Sequence, residues 1–286
     1  MPSERCCPER TRGSCEILRP DNAALARSND CCEVSPMLLP EEELDVTERF
    51  GVARAQVRRD HLISHLLAAL SDRFADRVVF FGGTALSRTF APDGRLSEDI
   101  DLIARGARRE LAGEIEKWLV RATRREFPGL RWSPPLSTVR DVEPAVVLAD
   151  DGVSVRVQLL NAVGIPSWPL VSRPLVQRYS DVAPAELLVP TRTSFAAWKT
   201  TAWMNRAASR DLYDLWLLSR IGAIDSEAAV LFAKHGPTGK PPSGQLFRVP
   251  PDETAWRRDL SSQTRLEITA AEALDVVRGA WAAHAE

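Results

Sequence analysis

The chain has 286 residues, of which 44% are hydrophobic and 27% are charged, and its formal net charge is -2. These values are typical of a globular protein with a sizeable core. They exclude a strongly basic protein, so a nucleic-acid partner would have to bind through a local patch. The sequence has no apolar run long enough to cross a bilayer and no apolar signal-peptide segment near its beginning. We therefore expect a cytoplasmic protein that has no membrane partner.

The first 40 residues differ in composition from the rest of the chain. All five cysteines lie within the first 32 residues, in a segment rich in Pro, Arg and Asn. An odd number of cysteines without Cys-x-x-Cys spacing makes a poor disulfide framework and a weak zinc motif. Residues 1–40 are therefore predicted to form a disordered tail with free thiols, and Met37 is an alternative to Met1 as the start of translation.

Helical and strand patterns alternate in the first half of the chain. Apolar residues recur near the 3.6-residue period from residue 47 to 74, which predicts a helix. The apolar run at 77–81 ends at a glycine pair and is typical of a buried strand. A short helix at 84–90 and a turn at 91–94 follow. Alternating aspartate and aliphatic residues predict a second strand at 98–104.

The remaining elements become more helical towards the end of the chain. An amphipathic helix is predicted at 108–127, and strands at 145–149 and 153–160 are joined by an Asp-Asp-Gly hairpin turn. A linker-like stretch with five prolines follows. Strongly helical segments come next, at 193–219, where a break near Ser209 stays open, and at 269–284. This layout predicts a mixed α/β half and a helical half, with a boundary near residue 165.

Two short motifs can carry chemistry. Gly82 and Gly83 lie between a strand and a helix, where backbone N–H groups and the helix N-terminus can bind phosphate without obstruction by side chains. Asp99 and Asp101 are two residues apart on the second strand, so both carboxylates project from the same face. Such a pair can hold Mg²⁺ or Mn²⁺ together with substrate phosphates. The sequence therefore predicts a metal-dependent phosphoryl-transfer site at this junction.

Each of these patterns also has a structural explanation. A glycine pair after a strand is common and an Asp-Ile-Asp strand can be a solvated edge, but their combination in this order favours function. His61 and His65 share a helical face next to Asp60 and could ligate a metal. Because no further His or Cys is nearby in the sequence, we interpret them as structural residues. Six arginines between residues 105 and 125 would contact an RNA backbone or form the solvent-exposed face of a helix, and both interpretations stay open.

Two strings of residues resemble a known family. The first string is formed by Gly82, Gly83, Thr84, Ala85, Leu86, Arg95, Ser97, Glu98, Asp99, Ile100, Asp101 and Leu102. The second string is formed by Lys199, Arg206, Arg210, Asp211, Asp214 and Leu215. Both resemble the AbiEii/AbiGii-type nucleotidyltransferases, which are toxins of type IV toxin–antitoxin systems and include the mycobacterial MenT toxins. The resemblance spans roughly residues 55–220 and is anchored at the two motifs.

The resemblance implies an α/β (α+β) fold with two domains. A polymerase-β-like nucleotidyltransferase core with a small mixed sheet would occupy residues 41–165, and a helical C-terminal domain would occupy residues 166–286. It implies Asp99 and Asp101 as catalytic metal ligands, with Lys199 and Asp211 completing the catalytic set. The expected nucleotide-binding residues are Gly82, Gly83, Thr84, Ser97, Arg206 and Arg210.

The resemblance also implies the substrate and partners of the protein. The substrate would be an NTP and the acceptor an RNA, above all the 3′ end of tRNA, so that translation is blocked. The protein partner would be a cognate antitoxin. Two alternatives stay open: a nucleotidyltransferase that modifies a protein or a small molecule such as an antibiotic, and a catalytically silent module that binds a nucleotide or RNA.

The second motif also has an interpretation from the residues themselves. Lys199, Arg206 and Arg210 would share one face of a continuous helix, which suits a triphosphate, although a solvated basic stripe has the same pattern. One feature departs from the family pattern. Polymerase-β-like sites usually take a third carboxylate from a later strand, and the strand at 153–160 offers no acid. Asp211 would have to compensate for it.

Overall fold

The structure, a computed structural model, describes residues 38–284. The expectations of a disordered tail and of a start at Met37 fall outside these residues, except that Pro40 already begins a helix. The described part of the chain has a mixed α/β fold, which confirms the predicted class.

A mixed sheet forms the centre of the fold. Its strands, in the described part of the chain, are β1 Val78–Phe81, β2 Asp99–Ala104, β3 Arg131–Trp132, β4 Ala145–Leu148, β5 Ser154–Asn161, β6 Leu170–Pro174 and β7 Glu186–Pro190. The order across the sheet is β3-β4-β5-β2-β1-β7-β6. β2 pairs antiparallel with β1 and parallel with β5, and β1 pairs parallel with β7. β1 and β2, the strands next to the two motifs, therefore lie in the middle of the sheet, and each has a neighbouring strand on either side.

Helices cover the sheet and build the second half of the chain. They are α1 Pro40–Phe50, α2 Arg54–Phe74, α3 Gly82–Thr89, α4 Arg108–Ala122, α5 Arg192–Arg206, α6 Ser209–Arg220, α7 Ser226–His235, α8 Glu253–Leu260 and α9 Ala270–Ala282. α2 and α4 pack on each other and on β5, whereas α5 to α9 pack mainly among themselves. Between residues 38 and 284, no helix is long and apolar enough to span a membrane.

Two local predictions are wrong, each for a physical reason, and a third is refined. The proline-rich stretch contains β6 and β7, because Pro174 and Pro190 stand at strand ends, where a missing N–H does little harm. The first helical segment is two helices, separated by Gly51 in a left-handed conformation with φ 65°. The helical segment of the second half does have the break near Ser209 that the sequence left open, since Ala207 caps α5 with φ 45° and α6 begins at Ser209.

The last interruption changes one argument of the sequence analysis. Lys199 and Arg206 lie on α5, but Arg210 lies on α6. The three cations therefore do not form a stripe along one continuous helix. They meet instead where the two helices turn, because the break directs both helices towards the same cleft.

A buried ion pair fixes the position of α3, the helix that begins at the glycine pair. Arg88 on α3 is fully buried and donates from Nη2 to Oδ1 of Asp60 on α2 at 2.7 Å. Tyr179 donates its hydroxyl to the other oxygen of Asp60 at 2.9 Å. Burial lowers the pKa of Arg88 to about 10, and the charge of Asp60 opposes this shift. Because a buried cation needs its partner, this network locks α3 onto α2.

Candidate active site

The glycine pair brings the backbone close to two charged side chains. Gly82 begins α3 with φ 80°, and a Cβ atom at this position would overlap the carboxylate of Asp101. A Cβ atom at Gly83 would overlap the guanidinium of Arg95. Any other residue would push these groups away. The glycines thus let the N-terminus of α3 open beside the acidic strand, as the sequence predicts.

Asp99 and Asp101 lie on the same face of β2, and both line one cleft. Asp101 pairs with Phe81 of β1 and with Gln158 of β5 in the strand register. Burial, followed by the negative charge of Asp99, raises the pKa of Asp101 to about 6. Three cations oppose this rise, namely Lys199, Arg156 and Arg206. The two carboxylates are therefore close together and partly shielded from water, an arrangement that favours a bound cation.

Arg156 neutralises one of the two aspartates. It stands opposite Asp99 on the neighbouring strand β5, and its Nε and Nη2 donate to the two carboxylate oxygens at 2.7 and 2.9 Å. The hydrogen bonds to Asp99 raise the pKa of Arg156. The side chain of Asp99 remains 27% exposed and that of Arg156 remains 52% exposed. The pair is therefore open to solvent and can exchange partners.

Lys199 reaches the cleft from α5 and is held by two aspartates of α6. Its Nζ lies 3.2 Å from Oδ1 of Asp211 and 2.6 Å from Oδ2 of Asp214. Asp211 also accepts hydrogen bonds from Nε and Nη2 of Arg206 at 2.6 and 3.0 Å. Because both oxygens of Asp211 are engaged by cations, this carboxylate orients Lys199 and Arg206 in the free protein.

A second buried pair connects this cluster to the first motif. Arg95 binds both oxygens of Asp214, with distances of 2.8 and 3.0 Å, and donates to Gln263 at 2.6 Å. Burial would raise the pKa of Asp214, but the charges of Arg95 and Lys199 overcome it and lower the pKa to about 2. The network therefore joins the loop before β2, helix α5 and helix α6 into one charged unit.

These groups surround a cleft of about 840 Å³. All but one of the sequence-predicted site residues line it: Gly82, Gly83, Ser97, Asp99, Asp101, Lys199, Arg206, Arg210 and Asp211. Thr84 is buried outside the cleft, and its hydroxyl donates to the backbone carbonyl of Asp99, so its side chain fixes β2 against α3. Sequence reasoning did not assign several polar lining residues to the site, among them Arg156, Asn205 and Asp259.

An aromatic stack forms one wall of the cleft. The ring of Trp198 stacks on Phe81 at a centroid distance of 4.9 Å and on Trp168 at 5.7 Å. These contacts hold the partly buried indole of Trp198 in the wall of the cleft.

Other residues singled out in the sequence lie elsewhere. Among the arginines between residues 105 and 125, Arg105 and Arg108 donate to the backbone carbonyls of Asp76 and Leu159. None of the six lines the cleft. His61 and His65 also lie outside it. The chain brings to both of them the carboxylate of Asp181, a possible ligand that the sequence analysis did not consider.

The fold and the cleft define a nucleotidyltransferase-type protein, and the comparison with protein families agrees. The family model described as nucleotidyl transferase AbiEii toxin, type IV toxin–antitoxin system, matches residues 65–286. The chain therefore belongs to the AbiEii family of nucleotidyltransferase toxins, which confirms the resemblance seen in the motifs. No curated protein sequence matches the chain.

The chain is similar to two solved structures, one of which supports the fold. The MenT4 nucleotidyltransferase toxin from Mycobacterium tuberculosis H37Rv superimposes with a TM-score of 0.57 at 20% identity, over 84% of this chain and 88% of that chain. A proposed nucleotidyltransferase from H. pylori matches with a TM-score of 0.49 at 14% identity, over 82% of this chain and 96% of that chain. At 20% identity the likeness to MenT4 concerns the fold alone.

Proposed function

We propose that this toxin transfers a nucleoside monophosphate from an NTP to the 3′ end of a tRNA and so blocks translation. One observation carries the proposal: a glycine-initiated helix, two strand aspartates and a Lys/Arg cluster line the same cleft. Its volume of about 840 Å³ lies within the usual range for small-molecule sites. The tRNA acceptor is favoured by the resemblance to MenT toxins in the sequence motifs.

Asp99 and Asp101 fit a divalent cation, Mg²⁺ or Mn²⁺. Their oxygens are the ligands that Mg²⁺ prefers, and mutual repulsion with burial raises the pKa of Asp101 to about 6, a cost that a cation would relieve. When bound, the cation would neutralise the triphosphate and the charge that develops during transfer. Arg156 holds the place of a cation beside Asp99 in the free protein, so it would have to release that carboxylate.

The remaining residues would bind and orient the nucleotide. The backbone N–H groups of Gly82 and Gly83 would donate to phosphate oxygens at the positive end of α3. Lys199 uses two of its three N–H donors on Asp211 and Asp214, which leaves the third for the triphosphate. Ser97 would lie beside the nucleotide.

Arginines would complete the anion-binding side of the cleft. Arg206 is held by Asp211, and Arg210 begins the next helix, so both would approach the phosphates from the helical side. Asp211 would act by positioning Lys199 and Arg206, because both of its oxygens already accept hydrogen bonds. In this proposal Asp211 does not bind the metal directly.

An incorporation assay tests the proposal. The full chain would be incubated with each α-labelled NTP, Mg²⁺ and either total tRNA or a protein extract. We expect label in tRNA with the wild type, a loss of about 100-fold or more in Asp101→Asn, and full activity in the exposed control Asp72→Asn. Label on proteins alone would show that the acceptor is a protein and not an RNA. Absence of label on any acceptor would overturn the proposal.

A further inference from the structure

A second cluster of metal-ligating side chains lies outside the cleft. His61 and His65 are one helical turn apart on α2, and Asp181 comes from the segment between β6 and β7. His61 is 6% exposed, His65 is 7% exposed, and the side chain of Asp181 is 7% exposed. None of the three lines the cleft described above.

The three ligand atoms are spaced like three corners of a tetrahedral metal site. Nε2 of His61 lies 2.9 Å from Oδ2 of Asp181, and Nε2 of His65 lies 3.2 Å from the same oxygen. The two Nε2 atoms are 3.2 Å apart. With zinc–ligand bonds of about 2.0 Å, a tetrahedron places neighbouring ligand atoms about 3.3 Å apart. The triangle therefore needs an adjustment of only a few tenths of an ångström.

Hydrogen bonding alone satisfies this triangle poorly. Two Nε2 atoms that face each other cannot both carry a proton along their shared line, whereas a metal uses the lone pairs of all three atoms at once. Asp181 also needs a positive partner, because a buried carboxylate is costly without one. Within residues 38–284, its ion-pair partners are the two histidines, and no Lys or Arg is among them.

The surroundings hold the three groups together without a metal. Tyr179 donates its hydroxyl to Asp60, the residue before His61, at 2.9 Å, and the same oxygen lies 3.2 Å from the carbonyl of Val57. This contact docks the Asp181 segment on α2. The ring of Phe127 packs against both imidazoles, with centroids 5.6 and 5.5 Å away. The cluster is thus pre-organised and has an apolar wall, as a structural metal site requires.

We propose that His61, His65 and Asp181 bind one Zn²⁺ ion, with water as the fourth ligand. Two imidazoles and one carboxylate at tetrahedral spacing suit Zn²⁺, whereas Mg²⁺ prefers an all-oxygen octahedral shell. The ion would clamp the segment that leads into β7 to helix α2. Because β7 pairs with β1, the clamp would stabilise the sheet next to the cleft, independently of the reaction performed there.

Zinc binding by the full chain tests this proposal directly. The five cysteines would first be alkylated and excess Mg²⁺ added, so that neither thiols nor the cleft aspartates capture zinc. After chelator treatment and titration with ZnCl₂, we expect one tightly bound Zn²⁺ per chain and a rise in Tm of about 5 °C. His61→Gln and Asp181→Asn should each weaken zinc binding by more than about 100-fold. The matched control His284→Gln should bind like the wild type.

Co²⁺ gives a second readout that needs no variant to fold. The alkylated wild type should show the intense visible absorption of four-coordinate Co²⁺, and ZnCl₂ should abolish it. An alkylated wild type that binds no Zn²⁺, or a His61→Gln variant that binds it with unchanged affinity, would overturn the proposal. In that case the cluster is a hydrogen-bonded His–Asp–His network only.

Discussion

The guanidinium of Arg156 and the carboxylate of Asp99 face each other across the parallel strands β5 and β2, joined by hydrogen bonds of 2.7 and 2.9 Å. Polymerase-β-like sites usually have a third carboxylate on such a later strand, and this chain has a cation there. Instead of adding negative charge for a metal, β5 neutralises the charge of β2. Metal binding at Asp99 therefore competes with an internal ion pair.

This competition predicts the behaviour of Arg156→Gln. Removing the guanidinium frees Asp99, so the Mg²⁺ concentration for half-maximal nucleotide transfer should fall. The pair is largely solvent-exposed and worth at most about 1 kcal/mol, so the fall should be about two- to fivefold. The control is Arg131→Gln, which breaks an exposed pair with Asp150 and should leave the Mg²⁺ requirement unchanged. A higher Mg²⁺ requirement in Arg156→Gln would contradict this account.

Asp101→Asn should lose transfer activity and gain stability. The pKa of Asp101 is raised from 3.8 to about 6, so the folded state binds this proton more tightly than the unfolded state does. Stability therefore falls as pH rises from about 4 to about 6 and stays lower above that range. Two pKa units correspond to about 3 kcal/mol at most, which the amide would restore at pH 8.

Urea denaturation of the metal-free protein at pH 5 to 8 checks this prediction. The gain of Asp101→Asn over the wild type should grow with pH and level off above pH 6. The exposed control Asp72→Asn should show no such gain. Loss of stability in Asp101→Asn at pH 8 would mean that the carboxylate is stabilised by its cationic neighbours more than it is destabilised by burial.

Asp214→Asn should damage the charged unit behind the cleft. It leaves Arg95 and Lys199 buried without their common partner, which costs about 3–5 kcal/mol of folding free energy. The comparison is Asp275→Asn, which breaks an exposed pair with Arg278 and should cost less than about 1 kcal/mol. Thermal and urea unfolding of both variants measure the difference, and equal losses would show that the buried network contributes little.

The same residue gives a prediction at acidic pH. The pKa of Asp214 is lowered to about 2, below the ordinary value of 3.8, so its contribution to stability is present above that ordinary value. The contribution is lost as pH falls from about 4 to about 2. The stability difference between the wild type and Asp214→Asn should therefore shrink over this window and be constant from pH 5 to 8.

Gly82→Ala should be costly although it adds only one methyl group. Gly82 has φ 80°, and its new Cβ would overlap the carboxylate of Asp101, so both the backbone and the site would be strained. We expect a loss of about 1–3 kcal/mol in stability and a strong loss of transfer activity. Gly113→Ala is the control, because Gly113 lies in α4 with open space around it and should gain about 0.5–1 kcal/mol. Wild-type activity in Gly82→Ala would show that the active site does not need a glycine at this position.

The sequence predicts features that depend on neighbours in the chain. Gly82, Gly83, Asp99 and Asp101 lie on consecutive elements, and a single antiparallel pairing brings them together, so their proximity follows from local patterns. The family is confirmed by the family model, and the fold class is confirmed by the structure. The roles of the individual site residues and the domain boundary near residue 165 stay predictions.

Features that depend on distant pairings are not visible in the sequence. Arg156 meets Asp99 through the register of parallel strands 57 residues apart, and Asp181 meets His65 across 116 residues. The sequence did not predict strands β6 and β7, because prolines at strand ends resemble the prolines of a linker. Such contacts are set by the packing of the whole sheet, which a local period does not encode.

The most direct test of the central claim is the sequence of RNA 3′ ends in cells that express the wild type or Asp101→Asn without an antitoxin. The account predicts that the wild type stops growth and leaves tRNAs with extra nucleotides beyond their mature 3′ end. Cells that express Asp101→Asn should grow with unchanged tRNA ends. Growth arrest with unextended RNA ends in the wild type, or extended ends in Asp101→Asn, would contradict it.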